Sequence, residues 1–281
     1  MNGMVKLVGA GCGRGLISVM GVEAIKSAES LVYDDLIDDA LLEYAPSGCK
    51  KIYVGKRYAR HSKKQEEINQ ILIDEAKAGR TVVRLKGGDS FVFGRGGEEY
   101  LALEAEGIQC SLIPGISSSI AVPESLGIPV THRNVAQSFT VITGHTATDM
   151  REDYSALAKL RGTLVFLMGL NSLTEITSEL IKFGKPESLP AAVVCRGFSG
   201  RERRIDGTLG TIAEEAVRNK AETPGILVVG EAAGFHMESC GNEKLRGKRV
   251  CITGTKPFMA RLRKALEGEG AFVEAVETIS L

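Results

Sequence analysis

Thr81-Val-Val-Arg-Leu-Lys-Gly-Gly-Asp-Ser-Phe-Val-Phe-Gly-Arg-Gly-Gly-Glu-Glu99 is the stretch that decides the fold. Residues 81–85 are dense enough in β-branched and apolar side chains to predict a strand, and Gly87 and Gly88 end it. A helical pattern over 97–106 then runs to Gly107. The same alternation extends outward in both directions. Strands are predicted at 5–8, 31–33, 51–54 and 111–113. Ile17, Met20, Ala24, Ile25 and Ala28 form a helical stripe between the first two. A further helix carries Ser62 and Gln65 at capping-box spacing, apolar Ile68, Ile71, Leu72 and Ala76, and Gly79 just past its end. Strands alternating with helices predict an α/β fold with a mostly parallel sheet covered by helices.

A second unit is expected to begin around 114–129, with strands at 139–143, 163–168, 191–195, 203–205 and 226–229 and helices over 171–183 and 209–219. A polar stretch then leads into one more strand-helix-strand pattern at 249–253, 258–267 and 272–276. The expected organisation is an N-terminal α/β domain (1–115), a C-terminal α/β domain (116–237), and a linker with a β-α-β fragment (238–281). A chain of 281 residues is long enough for two compact cores.

The 35 basic and 35 acidic residues cancel, which argues against a nucleic-acid partner. The N-terminus has no basic segment followed by an apolar one, and no apolar run could span a bilayer, so neither a secretory leader nor a membrane partner is expected. Cys12, Cys49, Cys110, Cys195, Cys240 and Cys251 include no C-x-x-C pair. No metal site or disulfide framework is therefore read, and reduced thiols in a cytoplasmic enzyme are expected.

Gly9, Gly11, Gly13 and Gly15 follow the first strand, and Asp34 closes the second. This resembles a dinucleotide fingerprint, but the third required glycine falls on Arg14 or on Leu16. The loop serves equally as a cofactor contact or a plain tight turn. The 84–99 segment says more, because ligands of open α/β sheets sit beyond the carboxyl ends of strands. Gly87 and Gly88 would let backbone approach a ligand. Asp89 could accept hydrogen bonds from a hydroxyl or amine. Arg95 offers a planar fork for a carboxylate. Glu98 and Glu99 suit the first turn of a helix. Basic clusters at 53–61, continuing to Lys63 and Lys64, and at Thr131-His-Arg133 add to a cleft suited to a polyanion.

Val54-Gly-Lys-Arg57, Gly87-Gly-Asp89, Phe93-Gly-Arg-Gly-Gly-Glu-Glu99, Pro114-Gly115, Gly127-Ile-Pro129, Thr131-His-Arg133 and Thr143-Gly-His145 together resemble the uroporphyrinogen-III C-methyltransferases of the tetrapyrrole methylase family. The resemblance runs from about residue 5 to 231. It implies two α/β domains with the cofactor in the cleft between them, a cytoplasmic homodimer, and methyl transfer from S-adenosylmethionine to two pyrrole carbons of uroporphyrinogen III. The products would be precorrin-2, which feeds sirohaem and cobalamin synthesis, and S-adenosylhomocysteine. It implies cofactor contacts at Gly11, Gly87, Gly88, Asp89, Val92, Ser117, Ser118, Met168 and Gly197. Asp34 matches a proton acceptor, Lys56 a proton donor, and Arg95 an arginine suggested as the base. Arg57, Glu98 and Arg133 would face the substrate.

The first loop departs from the family pattern, being one residue shorter, with Arg14 in place of an acid and Cys12 in place of proline. Ser90 also stands where proline is usual. Other members of the superfamily are the alternative enzymes: a precorrin methylase, the diphthine-forming enzyme, or a ribosomal RNA 2′-O-methyltransferase. A non-catalytic tetrapyrrole-binding protein is the alternative outside enzymes, and a nicotinamide dehydrogenase is disfavoured by the failed glycine spacing. The 245–253 segment, followed by a helix and Gly270-Ala-Phe-Val273, resembles the opening of uroporphyrinogen-III synthase, of which one β-α-β unit is expected here.

Overall fold

The computed structural model describes residues 3–55, 64–144, 152–237, 244–245 and 248–277. The chain divides into two compact units, Met1–Ala121 and Val122–Leu281. The first is built on strands β1 (Met4–Gly9), β2 (Ser30–Tyr33), β3 (Lys50–Tyr53), β4 (Thr81–Lys86) and β5 (Gln109–Ile113). They lie in the order β3-β2-β4-β1-β5, and every pairing is parallel. Helices α1 (Val19–Lys26), α2 (Gln65–Lys77) and α3 (Gly96–Ala105) connect them, and α4 (Ser118–Ser125) follows β5.

The alternation of side chains along each strand sorts this core into two layers. Val5, Leu7, Val32 and Val82 meet Leu72 of α2 and Leu103 of α3 on one face. Val8, Leu31, Val83 and Leu85 meet Ala24 and Ile25 of α1 on the other. Because both faces are covered, the central strands must be apolar on both sides. The adjacent strands β1 and β4 therefore send their following helices to opposite faces. That divergence opens a crevice at their carboxyl ends, which is where open α/β sheets bind ligands.

The second unit contains β6 (Phe139–Thr143), β7 (Thr163–Leu167), β8 (Pro190–Cys195), β9 (Arg203–Thr208) and β10 (Gly225–Val229), with helices α5 (Tyr154–Lys159), α6 (Leu173–Lys182) and α7 (Ile212–Arg218). The order is β6-β7-β10-β8-β9. Only β6 and β7 pair in parallel, and the other pairings are antiparallel. The mostly parallel sheet expected from the β-α alternation of the first unit is found there, whereas the second sheet is mostly antiparallel. β8 and β9 follow one another with no helix between them, and so short a connection can only return antiparallel. Phe166, Ile176, Leu180, Val193, Ile212 and Leu227 are the centre of this core.

Helix α2 starts at Gln65, with Lys64 as its N-cap residue and the Lys64 amide donating to Glu67 Oε2 at 3.2 Å. Ser62, expected to form a capping pair with Gln65, lies outside the described residues.

The tail forms β11 (Arg249–Gly254), α8 (Lys256–Gly268) and β12 (Phe272–Glu277), with β11 and β12 paired in parallel. Its buried residues Ile252, Met259, Ala271 and Val273 pack on one another. Against the rest of its unit, Phe272 and Arg249 lie beside Gly200. Deleting 244–281 is expected to change the melting free energy of the main body by no more than about 0.5 kcal/mol, as for surface changes. The methyl transfer that the resemblance implies should persist. Circular dichroism melts and an activity assay of the shortened chain check this, and loss of folding or of activity would contradict it. Among the described residues, no helix is long and apolar enough to cross a membrane, and no cluster of His, Cys, Asp and Glu could hold a metal ion.

Candidate active site

Three loops at the carboxyl ends of β1, β4 and β5 converge on glycine. Gly11 and Gly88 form an isolated antiparallel bridge, with Gly88 N–H donating to Gly11 O at 2.8 Å and Gly11 N–H to Gly88 O at 3.1 Å. Both residues have positive φ, 67° and 66°, a conformation that glycine adopts without strain. Gly115 closes the junction from the third side. A Cβ on it would lie 2.2 Å from Gly88 O and 2.6 Å from the carbonyl carbon of Gly9.

Asp89 ties the loops together. Its Oδ2 accepts from Gly115 N at 2.9 Å and its Oδ1 from Phe91 N at 2.8 Å. The carboxylate expected to meet a ligand thus also braces the turn, and spare lone pairs remain on both oxygens.

A Cβ placed on Gly88 would sit 3.6 Å from Ser118 N, so glycine leaves room against the amide end of α4. Ser117 Oγ accepts from Ser119 N at 3.3 Å and lies 2.9 Å from Ser119 Oγ. Gly11, Gly88, Asp89, Ser117 and Ser118 are therefore brought to one place. Gly87 adjoins the loop after β2, since a Cβ there would fall 2.5 Å from Leu36 O. Val92 follows in the same segment, its amide donating to Asp89 O at 3.3 Å.

Asp34 stands at the end of β2. Its Oδ1 accepts from Leu36 N at 3.1 Å and its Oδ2 from Arg84 Nη2 at 2.9 Å. Arg84 Nε and Lys86 Nζ both donate to Glu99 Oε1, at 3.2 and 2.8 Å, and Gln65 Nε2 adds a contact at 3.3 Å. Burial, together with the charge of Arg84, pulls the Lys86 ammonium below the usual lysine range, and Glu99 partly offsets this.

This cluster was missed in the sequence, where Glu99 reads as a helix-start acid facing water. It is fully buried. The signal that could have found it is the pair Arg84 and Lys86, two charges on one face of a central parallel strand that is otherwise apolar.

Arg95 is the N-cap residue of α3, at φ 58°. Its Nε and Nη2 grip both oxygens of Glu98, at 2.9 and 2.6 Å, with both side chains more than half exposed. The hydrogen bond from Arg95 holds the Glu98 carboxyl below its usual range, and the same bond raises the guanidinium. The carboxylate fork is thus real, and an internal carboxylate occupies it.

In the second unit, β7 and β8 both pair with β10, Leu167 opposite Ile226 and Cys195 opposite Gly225. Met168 and Gly197, which follow those strands, therefore come to one end of the sheet on either side of β10. Met168 is about half exposed, and Gly197 lies against Val122. Non-glycine residues at positive φ among those described are Phe93, Arg95, Met168, Arg196, Phe198 and Lys220. All but Lys220 lie in segments that carry expected site residues, and such strain tends to concentrate at functional sites. Arg133 is exposed, beside a turn closed by the bridge between His132 and Ala136. Lys56 and Arg57 lie outside the described residues, as does His145.

A family model for tetrapyrrole (corrin/porphyrin) methylases matches residues 4–213. The chain belongs to the tetrapyrrole methylase family. Among its relatives, this methylase is 53% identical over 234 residues to the uroporphyrinogen-III C-methyltransferase of Methanocaldococcus jannaschii, covering 82% of the chain and 97% of the relative. It is 46% identical over 238 residues to an S-adenosyl-L-methionine-dependent uroporphyrinogen III methyltransferase of Methanosarcina barkeri, covering 93% of that protein. A Bacillus subtilis uroporphyrinogen-III C-methyltransferase is 45% identical over 256 residues, and the methylase spans 53% of its length. Among solved structures, the methylase resembles a uroporphyrin-III C-methyl transferase from Thermus thermophilus complexed with S-adenyl homocysteine. The TM-score is 0.70 and the identity 37%, over 82% of this chain and 98% of that one.

Proposed function

We propose that this methylase transfers methyl groups from S-adenosylmethionine to uroporphyrinogen III, forming precorrin-2 for sirohaem and cobalamin synthesis, and that it works as a cytoplasmic homodimer. One observation carries the reading. The glycine junction at the β1/β4 crevice belongs to a chain 53% identical, over nearly the whole of the relative, to a protein named for this reaction.

The residues present fit the methyl donor, because Gly88 leaves open the space beside Ser118 that a side chain would fill. Gly11, Gly87, Gly88, Asp89, Val92, Ser117 and Ser118 are assigned to hold it, and the resemblance adds Met168 and Gly197 as further contacts. When bound, S-adenosylmethionine supplies an electrophilic methyl group. The electron-rich pyrrole carbon needs no base to attack it, so the protein contributes chiefly by positioning. Asp34 takes the proton that the methylated ring system must lose, and Lys56 returns one. Arg57, Arg95, Glu98 and Arg133 are assigned to the substrate face. The substrate's many carboxylates suit the three arginines of this set, and each charge-assisted hydrogen bond contributes about 1.5–3 kcal/mol. The assignment of the tail to the opening of a uroporphyrinogen-III synthase rests on the resemblance of 245–253 and Gly270-Ala-Phe-Val273 alone.

Titration calorimetry tests the first step. S-adenosylhomocysteine is expected to bind with micromolar affinity and NAD not at all. Binding of NAD without S-adenosylhomocysteine would overturn the reading.

A further inference from the structure

Arg84, Lys86, Glu99 and Asp34 form a buried cluster of two cations and two anions on the face of β4 that α2 and α3 cover. Stability alone gives no reason for it. Buried ion pairs are about as stable as well-packed apolar residues of the same volume, or less so. This one also leaves Glu99 Oε2 buried with no hydrogen-bond partner among the described residues. Side-chain accessibility is 3% for Arg84, 6% for Lys86 and 0% for Glu99, but 24% for Asp34. The cluster therefore reaches solvent through Asp34.

Each contact along it is directional. Glu99 fixes the Arg84 guanidinium through Nε, and the carbonyl of Leu85 holds Nη1 at 3.0 Å. Nη2 is left aimed at Asp34 Oδ2. The planar fork cannot turn away from Asp34 without breaking the other two bonds. Lys86, on the far side of Glu99, balances the charge that Arg84 alone would leave.

We propose that Arg84 is a positioning residue for methyl transfer: seated on Glu99, it holds the Asp34 carboxylate in the one orientation in which it accepts the substrate's proton. The proposal rests on the assignment of Asp34 as proton acceptor. It makes Glu99 an anchor rather than a substrate contact.

Replacing Arg84 by an apolar residue would leave the two carboxylates, Asp34 and Glu99, with Lys86 as the one cation of the cluster and could unfold the unit, so Arg84→Lys is the variant to use. It keeps the charge, but one ammonium cannot hold Asp34 and Glu99 together. Arg84→Lys, Asp34→Asn and the double variant of the full chain are compared with the parent, using uroporphyrinogen III and labelled S-adenosylmethionine. Arg84→Lys is expected to fold, to bind S-adenosylhomocysteine like the parent and to keep its KM. Its kcat should fall roughly 10- to 100-fold, as expected for misplacement of a reacting group. The double variant should be no slower than Asp34→Asn, because an aligned base that is absent cannot be lost twice.

Parental turnover by Arg84→Lys beside an impaired Asp34→Asn would overturn this proposal alone, as would losses that multiply in the double variant. Loss of fold or of cofactor affinity together with rate would mark Arg84 as structural and overturn it too. Parental turnover by Asp34→Asn would remove the Asp34 assignment and this proposal with it, while leaving the methyl-transfer reading standing; a parent with no turnover at all would remove both.

Discussion

Gly115→Ala is expected to disable the protein. The new Cβ would lie 2.2 Å from Gly88 O and within 2.7 Å of Gly9 Cα, and both neighbours are backbone. No side chain can swing aside to relieve that overlap. Relief requires pushing the turn after β5 away from Gly9 and Gly88, which pulls the Gly115 amide from Asp89 and loosens the junction that Gly11 and Gly88 close. The cost should be about 3 kcal/mol or more, at the upper end of overpacking. Spread over a chain of this size, it lowers Tm by roughly 6–12 °C. Binding of S-adenosylhomocysteine should disappear, since the loops assigned to hold it are those displaced. Gly48→Ala is the matched control, because nothing lies within 4 Å of its added carbon. Thermal melts and calorimetry on both variants check this, and a Gly115→Ala protein with parental Tm and affinity would contradict it.

Arg95→Ala is expected to leave the fold intact and to remove most of the activity. The bond it breaks is an exposed i,i+3 pair with Glu98, and such pairs contribute only about 0.3–0.5 kcal/mol. Alanine inherits the same positive φ as arginine, so the backbone strain is unchanged. The loss on the substrate side is larger. Without the guanidinium, a substrate carboxylate that replaces Glu98 in the fork has no bidentate partner. A fall in kcat/KM of about 10- to 100-fold corresponds to one charge-assisted contact. Lysine should rescue poorly, because it cannot make the paired contact. Glu98→Gln weakens the internal competitor and should tighten substrate binding modestly. Steady-state kinetics beside a thermal melt settle the matter, and a near-parental kcat/KM for Arg95→Ala would exclude it from the substrate site.

The first sheet is legible in the sequence because parallel strands covered on both faces must be apolar throughout, and 5–8, 31–33 and 81–85 are. Strand direction in the second unit is less legible. The apolar content of 191–195 and 226–229 is the same in either direction, and only the helix-free step from Cys195 to Arg203 reveals the turn back. Pro123 hides α4, since proline inside a helix removes one hydrogen bond and argues locally for a break.

The glycine doublets announce a close approach but not its partner. That Gly9, Gly88 and Gly115 meet depends on β5 and β4 flanking β1, a long-range fact of topology. The buried cluster escapes for a related reason. Ending the strand at Leu85 leaves Lys86 in the loop, whereas the strand continues through Lys86 and buries it.

The most direct measurement is incubation of the full chain with uroporphyrinogen III and methyl-labelled S-adenosylmethionine, with the tetrapyrrole read by mass spectrometry. The expected result is a product carrying two added methyl groups, with S-adenosylhomocysteine released in step. Unlabelled uroporphyrinogen III in the presence of folded protein that binds S-adenosylhomocysteine would contradict it.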